Sequence, residues 1–160
     1  MNAESFEFPE EFSKYELLIQ DDFENFTSVY HKYKNQNNTF FQSIVYACDD
    51  LANSNLIAEQ HRKAYTEIAL IGYFLLSQYK KVLTFNVRNS SFEANYFRFK
   101  SAIFAGERGT ISAILANIMT TLVELKKNDP TTHKVFFTIM SLEIASMNSD
   151  VESVKKHASK

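Results

Sequence analysis

Three glycines and two prolines in 160 residues leave this chain almost without the residues on which tight turns, hairpins and bulges depend. Average usage would bring Gly and Pro together to roughly 12%, so the chain has few places to reverse a strand. Helices joined by short polar loops are what it can build. Its 15 Phe, 8 Tyr and 45% hydrophobic content supply a core large enough to fold without metals or disulfides. The expectation is an all-α fold, a single compact bundle of about six helices joined by short loops.

Apolar spacing places those helices. Phe12, Tyr15, Ile19, Phe23, Phe26, Tyr30 and Tyr33 follow one another at steps of three and four, which predicts one helix entering after Pro9 and running to Tyr33. Further helices are predicted over residues 39–53, 56–85, 91–105, 110–127 and 131–147. The stretch 56–85 is apolar on two faces and is read as central. Residues 1–147 form one domain in this reading, with 1–9 as an acidic aromatic arm and 148–160 as a polar, frayed C-terminal tail.

The single cysteine, Cys48, has no internal disulfide partner, and the opening MNAESFEFPE has neither the basic nor the apolar region of a secretory signal. The longest apolar run, residues 68–76, is well short of the roughly 20 residues a membrane span needs. A cytoplasmic protein with no membrane partner is expected. Residues 1–30 carry eight acids against one base, whereas 61–108 carry eight bases against three acids. Either these two segments face each other in the fold, or the acidic one is a partner surface.

The segment FEANYFRFKSAIFAGERG, residues 92–109, alternates rings with cations. On a helical wheel Phe92, Tyr96, Phe99 and Ile103 share one face, so the rings are arranged as core, not as a base-stacking platform. With an isoelectric point near 6.1, no nucleic-acid partner is expected. Arg98 falls among Ala94, Ala102 and Ala105. Glu143 shares its face with Phe136, Ile139, Met140 and Met147 and therefore needs a partner, for which Arg98 or Arg62 is expected. His61 borders an apolar face, and Arg108 lies in a Gly-rich turn opening a helix, a position that favours anions.

No histidine spacing matches a metal site, Cys48 sits on an apolar stripe, and the adjacent Asp49 and Asp50 are expected to face water. No catalytic residues, metal or cofactor are assigned. The first functional expectation is therefore a small protein-protein interaction module of inhibitor, immunity-protein, chaperone or adaptor type. Phe6, Glu7, Phe8, Glu10 and Glu11 would meet a partner with a basic surface, unless these phenylalanines pack back on the bundle. The alternative is a bundle binding a small apolar or anionic ligand in an inter-helix cavity through Arg98, Glu143, His61 and Arg108. An enzyme acting on an anionic substrate ranks third.

Overall fold

The structure, a computed structural model, describes residues 7–85 and 91–158, with side chains as far as Met147. A 3-10 helix, Glu10–Tyr15, leads into α1 (Glu16–Asp21), α2 (Phe23–Lys34), α3 (Phe40–Ala52), α4 (Glu59–Leu75), α5 (Tyr79–Val82), α6 (Phe92–Ala105), α7 (Arg108–Asn128) and α8 (Pro130–Ala158). No strand occurs among the described residues. The fold is the expected all-α bundle, with eight α-helices among the described residues in place of about six because two expected helices are broken.

The first break is at Asp22. Its backbone leaves the helical region at φ −118° and ψ 25°, and its carboxylate accepts hydrogen bonds from the Tyr65 hydroxyl of α4 at 2.7 Å and the Asn25 amide at 2.7 Å. A straight helix over residues 10–33 would run about 36 Å along one line. The break wraps it instead, so that Phe12, Tyr15 and Ile19 before it and Phe26 and Tyr30 after it are all buried.

The second break follows α4. Ser77 takes φ 61°, with its N–H donating to the Phe74 carbonyl and the Gln78 N–H to the Tyr73 carbonyl. This is the Schellman closure of a helix end, here with serine where glycine is usual. The chain then returns through α5 to bury Val82. α6 ends in the same closure with the usual residue: Gly106 has φ 73°, and the Glu107 and Gly106 N–H groups reach the Ala102 and Ile103 carbonyls.

Side chains cap the starts of α3, α6 and α8. The Thr39 hydroxyl accepts from the Gln42 N–H and the Gln42 side-chain oxygen accepts in turn from the Thr39 N–H, a capping box that opens α3. Ser91 caps α6. Between α7 and α8 stands only Asp129, whose carboxylate accepts from the Thr132 N–H and hydroxyl. These bonds hold its acid below the usual range. α8 continues to Ala158, past Met147, where the sequence placed its end and the start of a polar tail.

Two cores result. The larger joins the 3-10 helix and α1–α5 around Tyr65, Ile68, Leu70 and Val45, and it includes Ala94 of α6. α3 and α4 cross closely there, because a methyl group at Gly72 would overlap Val45. The smaller lies between α6, α7 and α8 around Phe99, Ala102, Ile114, Ile118, Leu122 and Met140.

Candidate functional site

Glu143 is where sequence and structure meet most informatively. It is part-buried on α8 and does have a cationic partner, but that partner is Lys100, at 3.0 Å, rather than Arg98 or Arg62. Its other oxygen accepts the Tyr96 hydroxyl at 2.7 Å. Tyr96 and Lys100 are one turn apart on α6 and share a face, whereas Arg98 lies roughly 160° round from both. Arg62 belongs to α4, which packs on α3, α5 and α6. Burial pushes the Glu143 carboxyl up, but the bonds from Tyr96 and Lys100 and the lysine's charge outweigh it and hold the acid below its ordinary 4.5. Burial, then the bond to Glu143, raises Tyr96 to about 12.

Beside this pair opens a cavity of about 520 Å³, a size typical of small-molecule sites. Each of the three helices of the smaller core contributes one face: Lys100, Ile103 and Phe104 from α6; Arg108, Ile111, Ser112 and Leu115 from α7; Glu143, Ser146 and Met147 from α8. Two of the four ligand candidates, Glu143 and Arg108, are thus brought together. The other two are elsewhere. Arg98 has a buried Nε without a hydrogen-bond partner, and burial pushes its guanidinium down. His61 Nε2 and Arg62 Nε are also buried without partners.

Of the N-terminal candidates, Phe6 lies outside the described residues. Phe8 is not a free anchor: its ring packs on Phe12 and Phe26 of the larger core, at 6.4 and 5.9 Å between centroids. Glu7, Glu10 and Glu11 are exposed. No ion pair links them to the basic 61–108 segment; the described pairs are Lys14–Glu93, Lys32–Asp50, Lys81–Asp49 and Lys100–Glu143. The two oppositely charged segments therefore do not neutralise each other by contact among the described residues.

The sequence reading missed a set of tyrosine-carboxylate hydrogen bonds between separate elements. Tyr15 donates to Glu67, Tyr33 to Asp50, Tyr65 to Asp22 and Tyr73 to Asp49, all at 2.6–2.7 Å. Asp49 and Asp50 thus hold tyrosines rather than simply facing water. Glu67, buried at 7% exposure, accepts both Tyr15 and the Ser91 N–H. Burial and then these bonds raise Tyr15, Tyr65 and Tyr73 far above the ordinary tyrosine value. The available signal was a set of acids three or four residues from apolar stripe positions, which does not say which ring will reach them. Cys48 is fully buried, and burial pushes its thiol up, in keeping with packing.

α7 and α8 also carry large apolar side chains on their outer faces. Met119 and Val123 are one turn apart on α7, at 49% and 57% exposure. On α8, Val135 and Leu142 are 54% and 67% exposed, with Ile139 between them on the same stripe, and Phe137 is half-exposed on another side. Among the described residues no three His, Cys, Asp or Glu side chains gather as a metal ion would require, and no helix is long and apolar enough to cross a membrane. Compared with protein-family models, curated proteins and solved structures, the chain shows no significant match to any.

Proposed function

We propose that this protein is an interaction module that works by seating a partner protein on the α7–α8 hairpin. The observation that carries this reading is the second apolar stripe of α8, Val135, Ile139 and Leu142. It runs beside the stripe that faces the smaller core, in which Met140 is buried. Scattered exposed apolar residues are ordinary on a protein surface, but aligned ones on neighbouring helices are how a helical surface offers itself to another chain. The unpaired acids Glu7, Glu10 and Glu11 fit the same reading as steering charges for a partner with a basic rim. Inhibitor, immunity-protein, chaperone and adaptor roles all use such a surface.

Native mass spectrometry of the protein purified from its own cells identifies the partner, and two variants then locate its seat. Val135→Lys with Leu142→Lys should abolish the complex while leaving the melting temperature of the free protein within a few degrees. Glu10→Lys with Glu11→Lys should slow association and reverse its salt dependence, with a smaller loss of affinity. A complex that survives the α8 variant but not the glutamate variant would move the seat to the N-terminal segment. Survival in both would sink the proposal.

A further inference from the structure

We infer that the cavity between α6, α7 and α8 is a binding site for a small amphipathic carboxylate, a single anionic head on a hydrocarbon body. The inference is independent of partner docking on the outer faces, because it concerns the inner faces of the same helices.

The charges around the cavity do not cancel. Lys100 is matched by Glu143, whose two oxygens are both occupied, one by Lys100 and one by Tyr96. Arg108 also lines the cavity and forms no ion pair or hydrogen bond with any described side chain. One uncompensated positive charge remains at the mouth. Arg108 is also the first residue of the 21-residue α7, so the positive end of that helix adds to the same field. A guanidinium presents paired donors in a plane, which suits a carboxylate better than a neutral head group.

Apart from the hydroxyls of Ser112 and Ser146, the rest of the wall is apolar. Ile103 and Ile111 are part-buried members of the smaller core, as is Leu115, while Phe104 is half-exposed at the rim. Met147 of α8 also lines the cavity. The ammonium of Lys100 stands 5.2 Å above the Phe104 ring centre, so the lysine is held between Glu143 and the ring and its stem adds to the apolar wall. A cation would meet Arg108 with no free carboxylate to balance it. A neutral alcohol would gain the wall and nothing at the mouth. An anionic head with an aliphatic body satisfies both.

Decanoate, below the concentration at which it forms micelles, is the probe, and decanol is its neutral counterpart. Titrated into the full-length protein and followed by amide NMR, decanoate should move the resonances of Arg108, Ile111 and Leu115 with one-site stoichiometry, and decanol should bind at least about tenfold more weakly. Arg108→Gln should bring decanoate down to the affinity of decanol without changing the melting temperature, since Arg108 is exposed and has no described partner to lose. Ser112→Phe, at the rim, should block both ligands. Equal binding of decanoate and decanol, unchanged affinity in Arg108→Gln, or no shift at about 1 mM ligand would each overturn the inference.

Discussion

The two cores of this molecule are built to different standards. The larger, around α3 and α4, is dense in fully buried rings and aliphatic side chains, and hydrogen bonds tie it across elements distant in sequence: Tyr15 to Glu67, Tyr65 to Asp22 and Tyr73 to Asp49. The smaller holds two long helices, α7 and α8, through Ile114, Ile118, Leu122 and Met140, with Tyr96–Glu143 as its one such tyrosine bond among the described residues. It also leaves a cavity inside and apolar side chains outside. Long-range tyrosine bonds are concentrated in one region, whereas the other pairs a three-helix cavity with an aligned exposed stripe on α8. The first region also exposes apolar side chains, Leu17 and Leu56, but on separate segments. That division is what the proposal requires, with the first half holding the shape and the second half binding.

The strongest way to break this comparison is to damage each core in turn. Phe12→Ala should cost ~3–5 kcal/mol and lower hydrogen-exchange protection everywhere, because Phe12 is wholly buried and stacks on Phe41 of α3. Leu122→Ala should lower protection in α6, α7 and α8 while leaving the most protected amides of α3 and α4 nearly unchanged. Equal loss throughout in both variants would mean one cooperative unit and not two unequal ones.

Acid sharpens the comparison on a smaller scale. The Glu143 carboxyl is held below its ordinary value in the folded state, so it binds its proton later there than in the unfolded chain. Its contribution is therefore complete above pH 4.5 and is lost as pH falls through the lower folded value. Near-ultraviolet circular dichroism and NMR should show α8 loosening from α6 as pH falls through that lower folded value, below 4.5. In Glu143→Gln that pH-dependent step should be absent, and the stability at neutral pH should be lower.

The smallest effect compares two helix ends of the same geometry. Ser77 in the first region and Gly106 in the second both close a helix with a left-handed residue. Ser77→Gly should relieve a backbone conformation that an L side chain dislikes and stabilise the protein by about 0.5–1 kcal/mol, while Gly106→Ala should destabilise it by about 1 kcal/mol. Urea titration of both variants checks the sign. A loss of stability in Ser77→Gly would show that the serine side chain does something in the folded state beyond occupying the position.

Periodicity made most of the helices legible. Helices that lie across the bundle as single straight elements, α3, α6 and α7, begin within about two residues of where their stripes and caps place them. The misses are instructive for the opposite reason. Asp22 and Ser77 interrupt apolar stripes that continue unbroken in sequence, since the residues on both sides must reach the same core from different directions. Neither break carries a glycine or proline to mark it. Part of the candidate site was likewise legible. An acid on the apolar face of α8 had to find a partner, and Glu143 did, but the partner is Lys100 and not the expected Arg98 or Arg62.

Composition and spacing by themselves determined that this chain is all-helical, where its longest stripes run, and that Glu143 could not stand alone among Phe136, Met140 and Met147. These are local properties, set by turn residues and by a period of 3.6 residues. Only the tertiary structure decided that Lys100 and Tyr96 hold Glu143, that Phe8 packs inward, that tyrosines reach across to Asp22, Asp49 and Glu67, and that Arg108 is left facing a cavity. Each of these depends on the angle at which one helix crosses another. Side chains far apart in the chain fix that angle by filling a shared space, and no short window of sequence contains that information.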